Sequence, residues 1–224
     1  DFNKQIAEAI GYDDHPYDPI VLEYEPSMNA ARLRVLFDEL RDGLLPLLER
    51  IMAKGQYEHD FWEQSYPIDR QKAFALSIAR KFGYDLNRGR LDIAPHPFEI
   101  SFTRNDVRIT TRYDEHFMPM ALFGTLHETG HALYEQNISP DLTRTALTTD
   151  FLGQYAVGGT SYGAHEFSSR MWENQIGRSR EFWNVHFDDL QATFPEQLAN
   201  ADPDKFFRAV NRVEPSLIRV EADE

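Results

Sequence analysis

The sequence predicts a mainly α fold with one small antiparallel β-hairpin. Apolar residues recur at the three-and-four spacing of a buried helix face along most of the 224 residues. Glycine, proline and small capping residues fall where those runs start and stop. Alternation of period two is confined to residues 98–102 and 107–112, with Thr103-Arg104-Asn105-Asp106 between them as a turn.

Taken in order, residues 1–11 read as the end of an amphipathic helix. His15-Pro16-Tyr17-Asp18-Pro19 reads as a loop, because each proline disfavours helix before it. Ser27 is placed to cap a long helix from Met28 to about Lys54, with Leu33, Leu36, Phe37, Leu40, Leu44, Leu47, Leu48 and Ile51 at helical spacing. Pro46 predicts a kink or a break near Asp42-Gly43, and Gly55 the stop. Residues 67–83 form a second helix with Ile68, Phe74, Ala75, Ile78 and Phe82 inward, and Gly83 ends it. Residues 85–97 read as loop before the hairpin. The helix of residues 117–138 follows, ended by Ser139-Pro140, and residues 141–163 are irregular and glycine-rich. Residues 164–177 and 179–192 resume as helices, and Asp202-Pro203 starts another, since proline suits a first helical turn.

A hydrophobic content of 42% with 13% aromatic residues suits one well-packed domain of this length. The net charge of −14 argues against a nucleic-acid partner. No apolar run reaches transmembrane length and no secretory pattern is present, so no membrane role is expected. The absence of cysteine excludes disulfides and thiolate metal sites, and fits a cytoplasmic protein. The chain starts within one helical pattern and stops within another, at residues 215–224. It reads as a piece of a longer protein.

The chemistry concentrates in His127-Glu128-Thr129-Gly130-His131. Two histidines four apart share one face of a helix, so both imidazoles can reach one metal ion. Zinc takes imidazole nitrogens and, when catalytic, three protein ligands plus water. Glu128 stands where a carboxylate can take a proton from that water. A wet surface helix can carry the same letters, but Met118, Ala121, Leu122, Leu126, Ala132 and Leu133 make this helix a buried one, where unpartnered ionisable groups are costly. The third ligand must come from elsewhere, and Glu166, early in the next helix, is the candidate; a glutamate that merely favours the helix dipole is the competing reading. Glu173, two turns on, is the second candidate. His165 is either a ligand or a partner behind one, and Glu135 supports rather than ligates.

Four blocks in order, HPFEISFTRNDVRITTRYDE, HETGHALYEQ, HEFSSRMWENQIGRSREFW and VEPSLIRVEADE, resemble the carboxypeptidase Taq family of metallocarboxypeptidases over nearly the whole chain. The resemblance implies a helical zinc-peptidase fold, release of single residues from peptide C-termini, and a homodimer. It implies His127, His131 and Glu166 as metal ligands and Glu128 as general base. The metal would be Zn2+ or another divalent ion such as Co2+. It also associates His96-Pro97-Phe98 and the stretch Asp106-Val107-Arg108-Ile109-Thr110 with the substrate groove. From the residues alone, His96 is either a donor to a substrate carbonyl or a solvated loop histidine. Asp106, Arg108 and Thr110 share one side of a strand, whose edge can bind peptide main chain. Arg108 grips substrate or only Asp106. Arg219 is a candidate for the substrate's terminal carboxylate, with a surface pair to Glu221 or Glu224 as its alternative. The connection between His131 and Glu166, around residues 143–155, is longer than the family leads one to expect. An endopeptidase with the same site and a non-catalytic helical protein are the competing functions.

Overall fold

The computed structural model describes residues 2–57, 59–145, 148 and 161–214. Among these, helices and strands follow in the order α1 (Phe2–Ile10), α2 (Asp18–Tyr24), α3 (Ala30–Ala53), α4 (Ile68–Phe82), β1 (Gly89–Ile93), β2 (Glu99–Thr103), β3 (Asp106–Thr111), α5 (Met118–Gln136), α6 (Tyr162–Arg170), α7 (Arg180–Thr193) and α8 (Pro203–Val210). The fold is mainly helical, as the apolar periodicity predicts.

The helix that bears the histidine motif, α5, is apolar on nearly every side and is therefore covered on nearly every side. Its Met118, Leu122, Phe123 and Leu126 enter an aromatic core with Phe74 and Ile78 of α4, Phe182, Trp183, Phe187 and Leu190 of α7, and Phe206 of α8. Trp183 is fully buried, its ring 4.4 Å from that of Phe206 at 65°, an edge-to-face arrangement that favours both rings. A smaller core of Ala79, Tyr84, Leu91, Val107, Ile109 and Ala132 seats the sheet against α4 and α5. The Tyr84 hydroxyl donates to the Val107 carbonyl at 2.7 Å and to that of Arg90 at 3.1 Å, tying the sheet to the end of α4.

Helix ends follow their capping chemistry. Gly83 stops α4 at φ +109°, a conformation that side chains resist. Ser161, Ser179 and Asp202 accept the backbone N–H groups of Ala164, Phe182 and Lys205 at the starts of α6, α7 and α8.

Several expectations are corrected. Residues 89–93, expected as loop, form β1, which pairs in parallel with β3 (Arg90 opposite Arg108); β2 pairs with β3 antiparallel. The sheet is therefore three-stranded and mixed, in the order β1-β3-β2, and not a lone hairpin. The strand carrying Asp106, Arg108 and Thr110 is central, so both its edges are taken and a peptide cannot add there. A helix, α2, begins inside the expected 15–19 loop because Pro19 falls in its first turn, where a missing N–H costs nothing. Asn29 rather than Ser27 caps α3, its side chain accepting from the Arg32 N–H. Of the kink or break expected near Asp42-Gly43, the break is absent: α3 runs on as one helix through Gly43 and Pro46. It buries none of its side chains; Leu36, Phe37, Leu40 and Leu44 stay exposed, so no described part of this chain covers its apolar face. The helical pattern at residues 215–224, and most of residues 143–155, lie outside the described residues.

Replacing Trp183 by alanine empties the centre of the aromatic core. It is expected to cost about 3–5 kcal/mol, read as a lowered denaturation midpoint in urea.

Candidate metal centre

Gly130 decides how closely the second half of the site can approach the first. It lies between the two histidines on α5, and the α6 backbone passes directly over it. A Cβ at Gly130 would lie 2.5 Å from Ser169 Cα, 2.8 Å from the Ser168 carbonyl oxygen and 2.9 Å from Ser169 N. The Ser168 hydroxyl donates to the Gly130 carbonyl at 2.8 Å and clamps the crossing. A mid-helix glycine normally costs about 1 kcal/mol relative to alanine, so its presence here is offset by this contact.

One turn before the crossing on α6, Glu166 reaches the imidazole pair. His131 Nε2 lies 3.2 Å from His127 Nε2 and 3.3 Å from Glu166 Oε2, and His127 Nε2 lies 3.8 Å from Glu166 Oε1. A tetrahedral zinc ion with ligands at about 2.0–2.1 Å holds them about 3.3 Å apart. The three donors therefore fit one divalent ion, and among the described residues they form the group that could hold one. Glu128 is buried beside them, and with His127, His131 and Glu166 it lines an open pocket of about 650 Å³. Pro97, Phe98, Glu99, Tyr162, Gly163 and His165 complete its wall.

The ionisation states suit a cation. Burial drives the His131 imidazole below its ordinary value, towards the neutral form a metal needs. Burial alone would raise Glu166, but the hydrogen bond to His131 and the charges of His127, His131 and Arg170 outweigh it and hold the carboxyl down at about 2. Imidazolium charge contributes to that depression and is lost when the rings are neutral. The Arg170 guanidinium, 2.8 Å from Glu166 Oε1, keeps the carboxylate ionised in either case.

Glu173, the second candidate for third ligand, has a different place. It sits behind the site, its Oε2 3.1 Å from His127 Nδ1. This fixes the tautomer of His127 and turns Nε2 towards the metal position. Arg170 and Arg178 approach Glu173 at 3.4 and 3.3 Å. A π-helical turn, Met171–Ile176, widens the chain after α6 at this point.

The remaining expected site residues lie apart from the metal group. His96 is exposed on the loop that leads into β2, beside Pro97, which lines the pocket. Asp106 and Arg108 form a two-pronged ion pair at 2.7 and 2.8 Å, with Arg108 over the Phe102 ring. The Thr110 hydroxyl accepts the Phe98 N–H at 2.8 Å and so holds a pocket-lining residue in place. Arg219 lies outside the described residues. Glu99 was missed in the sequence, because one glutamate in an alternating strand looks like a solvated face. Burial pushes its carboxyl up to about 7; the Ser101 hydroxyl hydrogen-bonds to it and lowers it, Glu135 raises it, and His165 lowers it.

A buried helix offering two imidazoles, a neighbouring helix offering a carboxylate, and a glutamate on the pocket make up the kind of donor set that a helical metallopeptidase needs. The chain matches the family described as Carboxypeptidase Taq (M32) metallopeptidase over residues 1–224, and it belongs to that family. It is 41% identical over 225 residues to Carboxypeptidase 1 of Bacillus subtilis, covering all of this chain and 43% of that protein. It is 46% identical over 209 residues to Thermostable carboxypeptidase 1 of Thermus thermophilus, covering 93% of this chain and 39% of that one. The crystal structure of the M32 carboxypeptidase from Deinococcus radiodurans R1 superposes with a TM-score of 0.89 at 42% identity, over 99% of this chain and 43% of that one. The chain thus spans less than half the length of these relatives. Among its described residues no helix is long and apolar enough to cross a membrane.

Two outcomes are expected. Gly130→Ala, which raises helix propensity, should instead destabilise by about 1–3 kcal/mol, because the methyl meets backbone that cannot yield. It should also weaken metal binding about tenfold or more, as thermal melts and metal titration would show. For Glu99, between its ordinary value of 4.5 and about 7 the folded protein keeps a proton that the unfolded chain has released. Stability should therefore fall as pH rises through that window, and Glu99→Gln should remove this slope from urea denaturation curves run at successive pH values.

Proposed function

We propose that this chain supplies the catalytic core of a metal-dependent carboxypeptidase, with His127, His131 and Glu166 as metal ligands and Glu128 as general base. The observation that carries the reading is the convergence of three metal-suited donors on a pocket that Glu128 also lines. Membership of the metallopeptidase family supports it. Two imidazoles and a carboxylate, without thiolate, suit Zn2+, with Co2+ as a substitute. When bound, the ion acts as a Lewis acid towards the scissile carbonyl and the attacking water. Glu128 then accepts the proton of that water and delivers it to the leaving amine nitrogen. Glu173 keeps the ring of His127 oriented, and Arg170 keeps Glu166 anionic.

The substrates are peptides with a free C-terminus. Because Arg108 is occupied by Asp106, Arg219 is the better candidate for gripping the terminal carboxylate, and His96 the candidate donor to a substrate carbonyl. In this reading Asp106 and Thr110 serve the groove by holding Arg108 and Phe98. The outer edge of β2 beside the pocket, which pairs with no other strand among the described residues, is the place for peptide main chain, rather than β3. A homodimer of the longer protein is carried forward from the family resemblance, and a cytoplasmic location from the absence of cysteine. One feature favours an endopeptidase instead: none of the described residues lining the pocket is lysine or arginine.

Glu128→Gln should bind metal as the parent does and lose about 10²–10⁴-fold in kcat, measured as release of C-terminal amino acids from peptides. Undiminished hydrolysis in this variant contradicts the assignment. Peptides with an amidated C-terminus should be poor substrates, and equal cleavage of both kinds would establish the endopeptidase reading.

A further inference from the structure

The two imidazoles are not supported alike. His127 rests directly on the carboxylate of Glu173, whereas His131 rests on another imidazole. His131 Nδ1 lies 2.7 Å from His165 Nδ1, with the ring planes within 18° of parallel and the centroids 4.6 Å apart. On its far side His165 Nε2 lies 3.1 Å from Glu135 Oε1. His165 and Glu135 are 8% and 2% exposed, so water does little to loosen either contact.

The proton inventory of this row is constrained. One proton, and not two or none, must lie between the facing Nδ1 atoms, since two N–H groups or two lone pairs would repel at that distance. With His131 Nε2 turned to the metal position, the neutral ring of His131 carries its proton on Nδ1 and donates it to His165. His165 must then accept at Nδ1 and carry its own proton on Nε2, which it donates to Glu135. The carboxylate at the end of the row sets the direction of both hydrogen bonds. A ligand histidine is commonly oriented by a carboxylate or carbonyl in direct contact; here a second imidazole is interposed.

We propose that His165 is a positioning residue that couples Glu135 to His131, fixing the His131 tautomer and raising its strength as a ligand. This rests on the reading of His127, His131 and Glu166 as the metal site. It separates His165 from its neighbour Glu166: one reaches the ion, the other reaches a ligand from behind.

The test is Zn2+ affinity of the purified protein, measured by chelator competition, for the parent and for His127→Ala, His165→Phe, His165→Asn, Glu135→Gln and the His165→Phe/Glu135→Gln double variant. His165→Phe keeps an aromatic ring against His131 but offers no acceptor, and is expected to weaken binding about 10–100-fold. His165→Asn, whose side-chain oxygen can accept from His131 Nδ1, should recover part of the loss. Glu135→Gln, nearly the same size, should weaken binding less than His165→Phe. The double variant should bind no more weakly than His165→Phe alone, because Glu135 acts through His165. Nitrogen-15 spectra of the zinc-loaded parent should show His165 protonated at Nε2 and bare at Nδ1. Parent-like affinity in both His165→Phe and Glu135→Gln, additive losses in the double variant, or a proton on His165 Nδ1 would each overturn the proposal while leaving the metal site intact. A parent that binds no Zn2+, or binds it equally well as His127→Ala, would overturn the metal site and the relay together.

Discussion

Backbone contact between two helices at Gly130 is the constraint from which the rest follows. The absence of one side chain lets α6 lie against α5, and the Ser168 hydroxyl clamps it there. Glu166 is brought to the imidazoles by this crossing and by little else. It is half exposed and held by Arg170, so its own packing does not place it. The long apolar surround of α5 serves the same end. A helix gripped by α4, α7 and the sheet cannot rotate, and its two histidines point where the core makes them point.

Around the three donors the structure arranges charge in layers. Nearest the pocket are two imidazoles, of which burial drives that of His131 towards the neutral form, and one carboxylate kept ionised. Behind them lie groups that settle which ring nitrogen carries the proton: Glu173 behind His127, and His165 with Glu135 behind His131. Arg170 ties the layers together by touching both Glu166 and Glu173. An imidazole has two nitrogens and a metal can use only one, so a site without this second layer would leave the choice of nitrogen to chance.

The helices of this fold were legible because their signal is local. Periodicity placed α4, α5, α7 and α8, and caps such as Gly83, Ser179 and Asp202 placed their ends. The HETGH motif was legible because two imidazoles and a carboxylate come from little more than a single turn of chain. What escaped depends on pairing across distance. The strand β1 has one buried apolar residue, Leu91, and exists because β3 lies beside it. Asp106, Arg108 and Thr110 looked like an edge because a sequence does not show that a third strand covers it. Gly130 drew no reading of its own within the motif, although a glycine inside so apolar a helix already points to close packing. Glu173 was recognised as a carboxylate of the site, but its depth was set by the π-helical turn, which leaves no local mark.

X-ray absorption at the zinc edge of the metal-loaded protein tests the central claim most directly. Two imidazole nitrogens with carboxylate and water oxygens at about 2.0–2.1 Å are expected, with one imidazole lost in His131→Ala. A first shell of oxygen alone, or a spectrum unchanged by that substitution, would contradict the account.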